Sequence, residues 1–172
     1  MTKGLVLARE WIQVQDSVPK RQQGLPPVPR SHREEVRLPI TTCNTDASWE
    51  ATTRRSGLAW IFSTPGTNLS QEGSTRVDNV SSPLMAEALA IRSGILAAVD
   101  LNITKLRVCS DCQTLIRAIK NKQQIKEIFG VVSDIMQISS LFESIVFVYV
   151  SRSENRQADC LAKRASVSFQ LV

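Results

Sequence analysis

Four acidic residues stand where a folded chain usually avoids a charge, at the end of an apolar strand or inside an apolar helical stripe: Asp46, Glu87, Asp111 and Asp159. A carboxylate beside a hydrophobic core costs several kcal/mol unless a positive group neutralises it. The sequence has no Lys or Arg within four residues of Asp46 or Glu87. A bound divalent cation would supply that positive charge if the four side chains converge.

Carboxylate oxygens without His or Cys suit the hard cations Mg²⁺ and Mn²⁺, which keep bound water and bridge phosphates. Two such ions about 3.5–4 Å apart can activate a water on one side of a phosphodiester and stabilise the leaving oxygen on the other. We therefore predict nuclease chemistry with two Mg²⁺ or Mn²⁺ ions. Taken singly, Asp111 could instead cap the following helix and Asp159 could complement the dipole of the last helix. An unpaired buried Glu such as Glu87 is harder to explain as structural.

The elements that would position these residues begin after residue 39 and follow the order βββαβααβα. Ser82 and Pro83 supply an N-cap and a first-turn proline for the longest predicted helix. Glu87 lies on the core-facing stripe of that helix with the small residues Ala90 and Gly94, which would let the helix lie close to a sheet. The order predicts a mixed α/β sheet. The predicted strands cover residues 40–49, 56–64, 68–76, 105–110 and 144–150, and the predicted helices cover residues 84–101, 112–120, 127–142 and 155–166.

The composition separates a tail from a folded domain. Five of the seven prolines fall between residues 18 and 39, which predicts a flexible proline-rich tail over residues 1–39, with at most a turn or two of helix within residues 5–15. Residues 40–168 have the length and apolar content of one globular domain. The net charge of +5, of which residues 1–40 carry +3, is compatible with a polyanionic partner.

Two features bear on the compartment. No apolar run approaches the roughly 18 residues of a membrane span, and the four cysteines are scattered without a disulfide framework. We expect an intracellular protein of the cytoplasm or the nucleus, monomeric and without membrane association.

Two other motifs could carry chemistry, and we favour a structural interpretation of both. Cys109 and Cys112 form a C-x-x-C, but strand alternation turns Cys43 to the face opposite Asp46, which argues against a zinc site, and Cys109 lies inside a strand rather than at a helix start. Aromatic residues on the first strands could stack on bases, yet core packing is the favoured interpretation for Trp49, Trp60 and Phe62.

Four segments resemble the ribonuclease H domain: residues 45–47 in the first strand, 85–90 in the first helix, 110–113 after the fourth strand, and 155–162 in the last helix. The closest variety is the reverse-transcriptase-like group that is abundant in plants, in retroelement polyproteins and as free-standing genes. The resemblance covers about residues 41–166, and the order, the spacing and the four acidic positions all agree.

The resemblance implies a five-stranded mixed sheet, with three antiparallel strands followed by two parallel ones, flanked by helices. It also implies endonucleolytic cleavage of the RNA strand in RNA–DNA hybrids. Carried over by position, the catalytic metal ligands are Asp46, Glu87, Asp111 and Asp159. By the same resemblance, Gln113 is expected to contact the hybrid backbone or minor groove. The family grips the duplex with a basic protrusion at the position where this chain has Lys120, Lys122 and Lys126. The alternative is that this segment is only a solvated charged loop.

The chain departs from the family at two positions. Well-studied ribonucleases H carry a histidine in the loop before the last helix, where this chain has residues 151–154, and its only histidine is His32. Glu154 could accept a proton in place of that histidine or serve as a first-turn residue favoured by the helix dipole. Pro83 stands where an asparagine often reads the minor groove. These departures keep two alternatives open: a catalytically inactive, retroelement-derived nucleic-acid-binding domain and a purely structural interaction domain.

Overall fold

The computed structural model describes residues 39–67 and 70–167. The predicted tail before Pro39, the helical turn within residues 5–15 and the predicted start of the third strand at 68–69 lie outside the described residues. The elements follow the predicted order βββαβααβα: β1 Thr41–Glu50, β2 Arg55–Ser63, β3 Ser70–Val77, α1 Pro83–Asp100, β4 Lys105–Ser110, α2 Gln113–Lys120, α3 Phe129–Ser139, β5 Ser144–Tyr149 and α4 Arg156–Val167. Among the described residues, no helix has the length and apolar content needed to cross a membrane.

One five-stranded sheet contains all these strands, in the order β3-β2-β1-β4-β5. β1 pairs antiparallel with β2, and β2 with β3, whereas β4 runs parallel to β1 and β5 parallel to β4. The predicted mixed sheet is confirmed. Asn44 of β1 lies opposite Cys109 of β4 in the parallel register. Asp46 and Asp111, each two residues further along, therefore reach the same end of the sheet.

α1 begins as the sequence predicts. Ser82 Oγ accepts a hydrogen bond from the Met85 backbone N–H at 3.1 Å, and Pro83 occupies the first turn, where no amide N–H is needed. A Cβ on Gly94 would lie 3.1 Å from both Cys43 Sγ and Thr45 Cγ2. The helix therefore lies close against β1, which fixes the distance between its side chains and the strand.

α3 is shorter at both ends than the helix predicted over residues 127–142. Before it, the chain makes a turn in which the Ile128 N–H donates to the Ile125 carbonyl at 3.0 Å. The helix therefore begins only at Phe129. At its end, the hydroxyls of Ser139 and Ser140 each donate to a backbone carbonyl about one turn back, at 2.7 Å. Such side-chain bonds compete with continued helix, and hydrophobic periodicity does not reveal them.

α4 covers the face of the sheet opposite α1 and rests directly on β2. A Cβ on Gly57 would lie 2.0 Å from the Ala162 carbonyl oxygen and 2.5 Å from the Ser166 backbone nitrogen. Ala59 and Ile61 of β2 are buried in one cluster with side chains of α4. This close contact determines how α4 presents its first turn to the end of β1.

We expect Gly57→Ala to destabilise the domain by roughly 1–3 kcal/mol, because the added methyl group must push the α4 backbone away from β2. Gly130→Ala is the matched control: Gly130 lies in α3, an added Cβ there meets no atom within 4 Å, and alanine is favoured over glycine in helices. Urea unfolding measures both variants. Equal free energies of unfolding for the two variants would show that α4 can move away from β2 without loss of stability.

Candidate metal centre

Three of the four predicted acidic residues meet at the end of the sheet where β1 and β4 run side by side. Asp46 projects from β1 with only 4% of its surface exposed. Glu87 projects from α1 one turn after its start, and Asp111 directly follows β4. Their carboxylate groups each offer one oxygen, and these three oxygens all lie within 4.8 Å of one another. The three come from a strand, a helix and a strand end, so the fold creates the group.

Burial and mutual repulsion raise the pKa values of two of these carboxyls. Loss of hydration raises the pKa of Asp46 to about 7, with smaller contributions from the charges of Asp111 and Asp159. The pKa of Glu87 rises to about 9, mainly by burial and then by the charges of Asp46 and Asp111. In the absence of a cation the group therefore retains protons near neutral pH, and a bound cation would displace them.

One oxygen of Glu87 lacks a partner. Its Oε2 is buried, and no donor among the described residues reaches it. A buried, unpaired carboxylate oxygen is costly, and the largest charge effects on Glu87 come from Asp46 and Asp111. A divalent cation between the three carboxylates would satisfy this oxygen and offset the repulsion. The all-oxygen donor set fits Mg²⁺ or Mn²⁺.

Asp159 lies in the same cleft but outside the close group of three. It belongs to the first turn of α4, and its Oδ2 accepts a hydrogen bond at 2.7 Å from Nζ of Lys163, one helical turn further on. Its charge nevertheless contributes to the raised pKa of Asp46. The structure thus brings three predicted ligands together and pairs the fourth with a lysine.

A cleft of about 580 Å³ opens over the carboxylates, and basic side chains form part of its wall. Arg152 reaches it from the loop between β5 and α4, with its Nε 3.5 Å from Asp111 Oδ2 and its side chain 94% exposed. Arg156 and Lys163 line the cleft from α4. Acidic residues beside cationic walls suit a divalent cation together with a phosphate group.

Glu154, from the same loop, accepts hydrogen bonds from Ser151, three residues earlier. Its Oε2 accepts hydrogen bonds from the Ser151 N–H at 3.1 Å and the Ser151 hydroxyl at 2.8 Å, and these bonds lower the pKa of Glu154. α4 begins only at Arg156, so the predicted first-turn position is corrected to a loop position. The lowered pKa disfavours Glu154 as a proton acceptor near neutral pH.

Asn155 is a site residue that its sequence position does not reveal. Its side chain is 1% exposed, and Nδ2 donates to the Thr45 carbonyl at 2.9 Å and approaches Asp46 Oδ1 at 3.5 Å. Its Oδ1 accepts a hydrogen bond from Asn44 Nδ2 at 3.2 Å. An Asn just before a helix usually indicates a cap, so only the fold shows that it ties α4 to β1 around Asp46.

The residues predicted to bind nucleic acid are exposed but do not line the cleft. Gln113 is the first residue of α2, two positions after Asp111. The three lysines lie at the end of α2 and in the connection to α3, all exposed: Lys120, Lys122 and Lys126. Their contacts with nucleic acid stay a prediction.

Core packing accounts for two of the three aromatic residues considered above as platforms for bases. Phe62 belongs to the main core cluster, and Trp60 packs against it. Trp49 lines the cleft and packs partly against a smaller cluster, and its Nε1–H donates to the Val80 carbonyl at 3.0 Å. The pKa values of Cys109 and Cys112 are raised, chiefly by burial, which disfavours the thiolate that redox chemistry needs.

The order of the strands and the three converging carboxylates define a ribonuclease H-like protein. The sequence pattern described as reverse transcriptase-like matches residues 44–165, and the chain belongs to that family. A comparison with curated protein sequences finds no match.

Solved structures agree with this assignment at the level of the fold. Ribonuclease H1 from the halophilic archaeon Halobacterium salinarum superposes with a TM-score of 0.68 at 16% identity, covering 73% of this chain and 96% of that one. The N-terminal ribonuclease H domain of a Mycobacterium tuberculosis protein gives 0.67 at 19% identity, with 74% and 94% covered. LC11 ribonuclease H1, isolated from compost by a metagenomic approach, gives 0.66 at 17% identity, with 73% and 96% covered, in a complex with an RNA/DNA hybrid.

Proposed function

We propose that this chain is a metal-dependent endonuclease that cleaves the RNA strand of RNA–DNA hybrids. The observation that carries the proposal is the convergence of Asp46, Glu87 and Asp111 around a buried Glu87 oxygen that has no partner among the described residues. The ribonuclease H-like fold and the family membership support the same assignment.

The cofactors that we propose are two Mg²⁺ or Mn²⁺ ions. Asp46, Glu87 and Asp111 would hold one ion, and Asp159 would contribute to the second. Bound there, such ions supply an activated water and stabilise the leaving oxygen of a phosphodiester. The contribution of the chain is to fix the carboxylates on packed elements, so that their geometry persists while a substrate binds.

Recognition of the hybrid would combine charge with contacts to the 2′-hydroxyls. Arg152 and Arg156 on the cleft wall can bind phosphates, and we propose that Gln113 contacts the hybrid backbone or minor groove. Two structural relatives were solved with nucleic acid, LC11 ribonuclease H1 with an RNA/DNA hybrid and a foamy viral protease-reverse transcriptase with double-stranded DNA. A sequence-tolerant protein must contact 2′-hydroxyls to distinguish RNA from DNA.

Duplexes labelled on one strand at a time test this substrate assignment. RNA–DNA, RNA–RNA and DNA–DNA duplexes of one sequence are incubated with the full chain and Mg²⁺ or Mn²⁺. We expect internal cuts in the RNA strand of the hybrid alone. Equal cleavage of the three duplexes would contradict the assignment of the substrate while leaving the metal site intact.

A catalytically inactive nucleic-acid-binding domain is the second candidate, and two observations favour it. The loop before α4 presents Arg152 to the cleft instead of a histidine, and Lys163 already neutralises Asp159. Such a domain would bind hybrid equally well in EDTA and in Mg²⁺ and would cut neither strand. Fluorescence anisotropy in both conditions, beside the cleavage assay, separates the two candidates.

Hybrid binding should also depend on salt in proportion to the phosphate contacts made. We expect the triple variant Lys120→Ala, Lys122→Ala, Lys126→Ala to bind hybrid more weakly and to reduce the slope of log K against log salt concentration by about three. The melting temperature of the variant serves as the control for folding. An unchanged slope would place the binding surface elsewhere.

A further inference from the structure

Two of the four acidic residues have a cationic side chain at ion-pair distance, and Asp159 has the closer one. Nζ of Lys163 lies 2.7 Å from Asp159 Oδ2, and both residues are on α4, one turn apart. Both also line the cleft that contains Asp46, Glu87 and Asp111. Arg152, which also lines the cleft, stands farther from its carboxylate, at 3.5 Å from Asp111 Oδ2.

We propose that Lys163 competes with the second divalent cation. Its ammonium group occupies the cation position at Asp159, so the first ion binds at the group of three carboxylates and the second binds only when Lys163 moves away. This inference rests on the metal site of the proposed function, and it specifies which residue controls the occupancy of that site.

The electrostatics of the cleft favour the ammonium at this position. The positive charge of Lys163 faces the carboxylate of Asp159 in a cleft that also holds Asp46, Glu87 and Asp111. It offsets the negative charge of the cleft on the α4 side in the same way that a bound cation would.

The exposure of the pair makes the lysine displaceable. The side chains of Lys163 and Asp159 are 65% and 41% exposed, and ion pairs this exposed are weak because water screens them. A divalent ion carries twice the charge of the ammonium and competes for the same oxygen. Lys163 should therefore weaken the second ion by a moderate factor without abolishing its binding.

Titration of the full chain with Mn²⁺, followed by electron paramagnetic resonance of the free ion, measures how many ions bind and how tightly. For the parent we expect one tighter and one weaker ion. Lys163→Gln should bind the second ion about threefold to tenfold more tightly, with the first ion little changed. Arg164→Gln is the matched control, because it removes the same charge from the same helix at a residue that does not line the cleft.

Two further variants test the role of Lys163 separately from the existence of the metal site. Lys163→Arg should resemble the parent, and Asp159→Asn in the Lys163→Gln background should lose the second ion. Equal second-ion affinities in Lys163→Gln and Arg164→Gln would overturn the role of Lys163 and leave the metal site in place. No Mn²⁺ binding by the parent or by any variant would overturn the metal site itself, and both proposals with it.

Discussion

Asp46→Asn and Asp111→Asn are each expected to reduce cleavage of an RNA–DNA hybrid by at least about a hundredfold while the fold is retained. The two carboxylates occupy the same end of neighbouring parallel strands, and an uncharged amide is a weaker ligand for a divalent ion than a carboxylate. Asp159→Asn should keep more activity, especially with Mn²⁺, because its carboxylate lies outside the close group of three. Single-turnover cleavage beside circular dichroism measures activity and folding together.

Asp100→Asn provides the matched control for these variants. Asp100 is exposed at the last position of α1 and does not line the cleft, so its replacement removes one negative charge without touching the site. We expect parental activity from this control. If Asp46→Asn unfolds the domain, or cuts hybrid as well as Asp100→Asn does, the converging carboxylates are structural rather than metal ligands.

Glu87→Gln is expected to stabilise the metal-free protein by roughly 1–3 kcal/mol at pH 8. Folding raises the pKa of Glu87 from 4.5 to about 9 and that of Asp46 from 3.8 to about 7. A carboxyl whose pKa is raised by folding favours the folded state while it is protonated. Its contribution is complete below about pH 4 and is lost as the pH rises through the folded-state pKa. Glutamine carries no charge at any pH and escapes this loss.

Urea unfolding in EDTA between pH 4 and pH 10 measures the effect. The stability of the parent should fall across this range, that of Glu87→Gln should fall less, and the two curves should converge near pH 4. Mg²⁺ should reverse the ranking at pH 8, because an ion that binds only the folded state stabilises the parent by mass action. A Glu87→Gln variant that is less stable than the parent at pH 8 in EDTA would mean that the Glu87 carboxylate makes favourable contacts within the protein.

The sheet and three of the site residues could be predicted because short-range signals determine them. Strand alternation and the Ser82-Pro83 helix start depend on neighbouring residues. The unusual placing of Asp46 and Glu87 among apolar positions is likewise visible in the sequence. The ends of α3 were not predictable in this way, because they depend on hydroxyl–carbonyl bonds that leave no periodic pattern.

The finer structure of the site depends on contacts between distant segments. Asn155 could be identified as a helix cap from the sequence, but its contacts with residues of β1 arise only when α4 packs across β2. The spacing of four between Asp159 and Lys163 is readable as an ion pair, yet its position within the acidic cleft is not. Likewise, Arg152 reaches Asp111 across a loop whose path the sequence leaves undetermined.

The most direct test of the metal-centre account is cleavage of a hybrid carrying a label on its RNA strand, by the full chain, in Mg²⁺, in Mn²⁺ and in EDTA. We expect internal cuts in the RNA with either ion, no cuts in EDTA, and none with Asp46→Asn under any of the three conditions. Tight binding of the hybrid without cleavage in either ion would contradict the metal-centre account and would identify the chain as a binding domain that keeps the ribonuclease H fold.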